Sequence, residues 1–215
     1  MTTPNDSHSQ YDRLGVFPTV DTGERHSDAH VWDESLRPTR PESPSDITYT
    51  RMGRAVGSHL IAVHDHLRGE LENIRRLVEI VESQELSPSE AVDVFDEFTI
   101  RQNNWTVGAY CSAYYRMVAM HHGLEDSDVF PHLRSCEVQL EPVIDRLSDE
   151  HHIIHDVLEG LNRALVELVA NPNDFTDLRR AMDILTDTLL SHLAYEELQL
   201  VEPLARYGFY PGQVR

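Results

Sequence analysis

From about residue 48 onward, apolar positions recur every three or four residues, the period of an amphipathic helix. The first seam, from about Thr50 to Ser83, reads Leu60, His64, Leu67, Leu71, Ile74, Val78 and Val81. A second, from about Asn104 to Phe130, carries Cys111, Tyr114, Val118, His121, Glu125 and Val129, and Pro131 marks its end. A third, from about Leu140 to Ala170, carries Ile144, Leu147, His151, Ile154, Leu158, Leu161, Leu165 and Leu168. It is broken by Asn171-Pro172-Asn173-Asp174. A fourth, from about Phe175 to Glu202 or a little beyond, sets Met182, Leu185, Leu189, His192 and Glu196 in register before Pro203, Gly208 and Pro211-Gly212. Between the first two, Leu86-Ser87-Pro88-Ser89-Glu90 has the serine, proline and acid of a helix start, and predicts a short helix over 89–101. No segment alternates with the period of a strand. The expectation is an all-α chain, an up-down-up-down antiparallel four-helix bundle around one core.

Residues 1–47 break the pattern. Five of the eleven prolines fall there, among Ser, Thr, Asp and Gly, with no sustained apolar period. Such a stretch buries too little to offset its ordering entropy, which predicts a flexible, irregular N-terminal arm ahead of a bundle spanning 48–215. Its short apolar stretch Leu14 to Val20, and Trp32, are the places where it could dock.

Charge and composition narrow the chemistry. The 215 residues hold 37 acids against 18 bases, all of them arginine, for a formal charge of -19. A surface this acidic repels duplexes and anionic membranes, so neither a nucleic acid nor a membrane is expected as a partner. The two cysteines, Cys111 and Cys136, make no disulfide framework, and no secretory signal opens the chain, which points to the cytoplasm. The unusual number is 13 histidines.

Each of the four seams carries a histidine on its apolar side. One such residue is ordinary core; four helices doing so together would bury several imidazoles and carboxylates in hydrocarbon, at a few kcal/mol each without partners. A metal cluster is the partner that resolves this. Residues i and i+4 on a helix are offset by only about 40°. His121 and Glu125, His151 and His155, and His192 and Glu196 all have that spacing, with His64 alone on the first helix. Five imidazoles and two carboxylates suit two ions sharing bridging carboxylates, with iron or manganese favoured over four-coordinate zinc. His66 lies about 200° around the helix from His64 and is expected outside, as are His59, His122 and His152. Asp126 and Glu150 could orient ligand imidazoles from behind. Tyr110, Tyr114 and Cys111 read as core filling, and His132 as a residue just past the second helix.

In the order Val63-His64-Asp65-His66-Leu67-Arg68, His121-His122-Gly123-Leu124-Glu125-Asp126, Glu150-His151-His152-Ile153-Ile154-His155 and His192-Leu193-Ala194-Tyr195-Glu196-Glu197, the chain resembles the hemerythrin-like family, the HHE cation-binding domain. That resemblance covers about residues 59 to 204. It implies a non-haem di-iron centre with His64, His121, His151, His155 and His192 as terminal ligands and Glu125 and Glu196 bridging. Two iron ions are the implied cofactor, with manganese or zinc as substitutes. Oxygen-carrying hemerythrins end on an aspartate five residues after the last histidine, where this chain has Glu197; Glu196, at four, has the spacing of many HHE relatives and is the expected ligand.

Three functions are compatible with such a centre. The first is binding of dioxygen, nitric oxide or peroxide for carriage, storage or sensing. The second is an oxidoreductase activating oxygen or peroxide on a small substrate, and the third is iron storage or sensing. The imidazole-rich ligand set favours the first. Glu-x-x-His pairs of ferritin-like proteins, HExxH, glycine-rich phosphate loops and the G-x-S-x-G elbow are all missing from the sequence.

Overall fold

The computed structural model describes residues 5–83, 103–171 and 174–214. The described residues are helical, with no strand among them: α1 (Asn5–Leu14), α2 (Arg51–Ser83), α3 (Asn103–Leu124), α4 (Phe130–Cys136), α5 (Glu141–Ala170) and α6 (Thr176–Tyr207). The short helix expected over 89–101 lies outside the described residues. Among them, no helix is long and apolar enough to cross a membrane.

The four long seams become the four long helices. Helix α2 packs against α3 and α6, and α5 packs against α3 and α6. Along α2 and α6, Gly53 faces Ala205, His64 faces Glu197 and Arg75 faces Thr186, so these two helices run in opposite directions. Likewise Tyr115 meets His155, His122 meets His151 and Asp126 meets Ser148, so α3 opposes α5. At one end α2 and α6 approach closely. A Cβ on Gly53 would stand 2.1 Å from the Ala205 carbonyl oxygen, so only glycine fits there.

The core is two apolar clusters with a polar layer between them. Leu67, Leu71, Ile74, Val118, Ile154, Leu158, Leu185 and Leu189 belong to one cluster. Leu60, Phe130, Leu133, Ile144, Leu147, Leu200 and Leu204 belong to the other. On α2 and α5 the boundary falls where a histidine stands: His64 between Leu60 and Leu67, His151 between Leu147 and Ile154. Each fully buried leucine contributes about 1.5–3 kcal/mol through removal from water, and this flanking hydrocarbon holds the layer dry.

Two prolines behave differently from the expectation. Helix α3 does not close at Pro131. It passes at Leu124 into one π-helical segment, Glu125–Val129, where the Phe130 amide reaches the Glu125 carbonyl, and continues as α4. Pro131 stands just past that segment, inside a helix that does not stop for it. Helix α6 likewise runs through Pro203 to Tyr207, because Leu204 and Ala205 beyond it are buried in the second cluster. It ends at Gly208, whose φ of +81° suits glycine and whose amide returns to the Leu204 carbonyl.

The N-terminal segment is not loosely held. It opens with α1 and then follows α6 as an irregular chain with one 3-10 turn, Glu34–Leu36. Tyr11, Leu14 and Val16 are buried in the second cluster, and Trp32 packs against the first. What composition could not reveal is its polar partner. The Asp187 carboxylate accepts bonds from the amides of His26 and Ser27 and from the Ser27 hydroxyl, at 2.7–2.8 Å. Gln199 accepts from the Arg40 amide, and the hydroxyls of Tyr195 and Tyr11 donate to the carbonyls of Pro38 and Leu198. The arm thus satisfies polar groups on α6 that would otherwise face solvent.

Candidate metal centre

The polar layer brings seven donor residues to one place. His122, His151 and His192 form one group, and His64, His121, Glu125 and Glu196 another; within each, one ligand atom per residue lies within 4.8 Å of all the others. The two glutamates connect the groups. Glu125 Oε1 stands 3.4 Å from His121 Nε2, and its Oε2 stands 3.7 Å from His151 Nε2. Glu196 Oε2 stands 3.5 Å from His64 Nε2 and 3.6 Å from His192 Nε2. Donors held at about 2.1 Å from a common ion lie about 3.0–3.5 Å from one another, so the spacing suits coordination.

The atoms that point inward have no other use. The Nε2 atoms of His64, His121, His122, His151 and His192, with Glu125 Oε2 and Glu196 Oε2, are buried and lack hydrogen-bond partners. Leaving this many polar atoms unpaired would cost about 1–3 kcal/mol each, more for charged groups. A dry, convergent set of imidazole and carboxylate donors fits a pair of cations.

The opposite sides of three rings are fixed by carboxylates. His64 Nδ1 donates to Glu197 Oε1 at 3.0 Å, His151 Nδ1 to Asp126 Oδ2 at 3.1 Å, and His192 Nδ1 to Glu150 Oε2 at 3.0 Å. Each bond places the hydrogen on Nδ1 and leaves the Nε2 lone pair aimed at the centre. Further groups hold these carboxylates in turn: Arg68 and the Thr19 amide on Glu197, Ser148 on Asp126, Arg37 and Arg146 on Glu150. The π-helical segment serves this arrangement. Its first two residues, Glu125 and Asp126, address the two nitrogens of the same His151 ring.

Without a cation, three imidazoles of the layer resist taking up protons, whereas the Glu125 carboxyl favours holding one. Burial pushes His121 down to about 3; the Glu196 charge opposes this, and the His64, His151 and His192 rings add to it. Burial and the neighbouring rings hold His122 well below the usual imidazole range, and burial lowers His192 against its bond to Glu150. Burial and the Glu196 carboxylate push Glu125 well up, whereas Glu196, although buried, stays low because the imidazoles surround it. Burial opposes the charge on Glu150, but the bonds from His192 and Arg37 bring it down to about 2.

Of the seven residues singled out in the sequence, His64, His121, Glu125, His151, His192 and Glu196 meet here. His155 does not. Its side chain is 51% exposed, against the Tyr115 hydroxyl and Glu159. The inward seam of α5 steps from His151 to Ile154 and Leu158, which turns position 155 outward. The fifth imidazole comes instead from His122, only 6% exposed and expected to lie outside. Its signal was its adjacency to His121: neighbours about 100° apart at a helix facing two ion positions can each serve one. Glu197 faces away from the centre, toward His64 Nδ1, and His66 is exposed. The Tyr114 hydroxyl donates to the Leu67 carbonyl, and His132 meets the Tyr207 carbonyl.

Helical packing around a buried histidine–carboxylate layer defines a cation-binding bundle. The chain belongs to the family described as the hemerythrin HHE cation binding domain, whose match spans residues 55–204. Neither the curated proteins nor the solved structures contain a significant match to it.

Proposed function

We propose that the four long helices form an up-down-up-down bundle holding two iron ions, and that the centre binds dioxygen, nitric oxide or peroxide for carriage, storage or sensing. The observation that carries this reading is the set of five Nε2 atoms and two glutamate oxygens that converge, buried and unpartnered, at one level. His122, His151 and His192 would hold one ion and His64 and His121 the other, with Glu125 and Glu196 placed between the two groups. The position with two imidazoles has one ring fewer and would be the one to take an outside ligand. Iron held there would supply reversible electron transfer to a bound diatomic. This chain's residues orient the donors, exclude water and keep His121, His122 and His192 unprotonated. Both cysteines are free thiols, which suits a reducing compartment such as the cytoplasm.

A second reading, an oxidoreductase acting on a small substrate, draws on one feature. A surface pocket of about 460 Å³ is lined by Asp126, Phe130, Pro131, Arg134, Ser135 and Ser148. Two of these touch His151, Asp126 through Nδ1 and Phe130 by stacking, so a molecule seated there lies one side chain from the centre. Optical spectra of the iron-loaded protein through cycles of oxygen addition and removal separate the two. A visible band that comes and goes with oxygen supports binding; a band that decays once and leaves oxidised product supports the enzyme.

A further inference from the structure

Two of the three carboxylates behind the metal-facing rings are held from the N-terminal arm. Arg37 reaches Glu150 with both prongs of its guanidinium, Nε to Oε1 at 2.8 Å and Nη2 to Oε2 at 2.9 Å. Its Nη1 donates to Ser191, and the group lies over the Tyr195 ring at 4.6 Å. Glu150 Oε2 is the atom that His192 Nδ1 bonds. Further along the arm, the Thr19 amide donates to Glu197 Oε2 at 2.7 Å, while the other oxygen takes His64 Nδ1. Both chains end at imidazoles that differ in position: His192 stands in the three-imidazole group and His64 in the two-imidazole group. The arm itself is tied down elsewhere, at Asp187, Gln199 and Leu198.

We propose that the N-terminal arm is a clasp on the metal centre: Arg37 positions His192 through Glu150, the Thr19 amide positions His64 through Glu197, and arm docking and metal loading strengthen each other. The inference rests on the metal-binding reading above. A guanidinium that forks onto both oxygens fixes the plane of a carboxylate, which a lysine cannot do, and the carboxylate fixes its imidazole. Loss of the carboxylate that orients a ligating imidazole typically weakens metal binding about 10–100-fold. That is the ceiling for loss of Arg37, because Arg146 still holds Glu150 Oε1. Coupling of this kind is reciprocal, so an arm that tightens metal is itself tightened by metal.

The test uses full-length wild type, Arg37→Gln, Arg37→Lys and Asp187→Asn, each checked for helicity by circular dichroism. Asp187 anchors the arm at His26 and Ser27 without touching Glu150 or Glu197, so its variant loosens the clasp and leaves the centre's own side chains unchanged. Anaerobic Fe(II) titration gives affinity, Co(II) substitution gives the ligand-field spectrum, and hydrogen exchange follows the amides of residues 15–40. The expected result is about tenfold or greater loss of affinity in Arg37→Gln and Asp187→Asn, less in Arg37→Lys, with a shifted Co(II) spectrum in Arg37→Gln. In wild type, metal slows exchange in the arm, and Arg37→Gln abolishes that slowing. Equal affinities, with arm exchange indifferent to metal, overturn the clasp while the metal site stands. A wild type that takes up no metal overturns both.

Discussion

The rings of His122 and His151 stack face to face, with centroids 4.0 Å apart and planes 7° from parallel. In this stack one ring nitrogen of each lies within 4.8 Å of the other and of a ring nitrogen of His192. His122 therefore takes the place at the centre that i, i+4 spacing assigned to His155. His122→Ala is expected to empty or weaken one metal position, lowering bound iron from about two toward one per chain. His155→Ala is expected to leave the content unchanged. Metal analysis of both variants after identical anaerobic loading decides between them; the reverse pattern restores His155.

Asp126 tests the carboxylate behind a ring in a setting free of the arm. It is held by His151 Nδ1 and the Ser148 hydroxyl at the edge of the bundle. Asp126→Asn keeps the shape and removes the charge that favours an Nδ1 hydrogen. Its expected effect is about a tenfold loss of metal affinity with little change in helicity, read by competition with a chelator of known strength.

The metal-free protein should be acid-sensitive from near neutrality. His121, His122 and His192 all have folded values below the unfolded imidazole's, near 6.5, His121 as low as about 3. As pH falls below 6.5 the unfolded chain takes up protons that these three rings refuse. This outweighs the one proton that Glu125, raised above its unfolded value, takes up in the bundle, so stability drops with pH. Each unit of depression is worth about 1.4 kcal/mol at full protonation of the unfolded group. Glu150, depressed to about 2, adds a further loss below its unfolded value near 4.5. Denaturant melts of metal-free protein at pH 7.5 and 5.5 check this: the midpoint is expected to be lower at 5.5. An unchanged midpoint contradicts the buried, neutral imidazoles.

Gly53 tests the packing that positions α6 against α2. With the Ala205 carbonyl oxygen 2.1 Å from where a Cβ would be, Gly53→Ala must push the helices apart. Overpacking of this kind costs about 1–3 kcal/mol. In a domain of this size that lowers Tm by about 2–4 °C per kcal/mol, measurable by calorimetry.

Much of this arrangement can be read from residue spacing, and the failures have physical causes. The seams around Leu67, Val118, Ile154 and Leu189 report burial directly, because a helix exposes its apolar period in sequence. Six of the seven converging residues follow from the same period. His155 misleads because a 40° offset is tolerable on an isolated helix, while packing of Ile154 and Leu158 inward decides which of two near-equivalent positions faces the core. The π-helical turn at Glu125 leaves no mark in apolar spacing, being a change of hydrogen-bond partner rather than of composition. The arm is the largest gap. Asp187, Ser191, Tyr195 and Gln199, four residues apart on α6, are a row of hydrogen-bonding groups on a helix whose apolar face is already used. That row was the legible trace of something polar lying on it, and the Pro-rich arm is what lies there.

The central claim, two cations held by five imidazoles and two bridging glutamates, is tested most directly by iron content per chain. Full-length protein is loaded with Fe(II) without oxygen, freed of unbound metal by gel filtration, and analysed beside the double variant Glu125→Gln, Glu196→Gln. The expected result is about two irons per wild-type chain and fewer than one in the double variant. Wild type retaining none, or the double variant retaining two, contradicts the account.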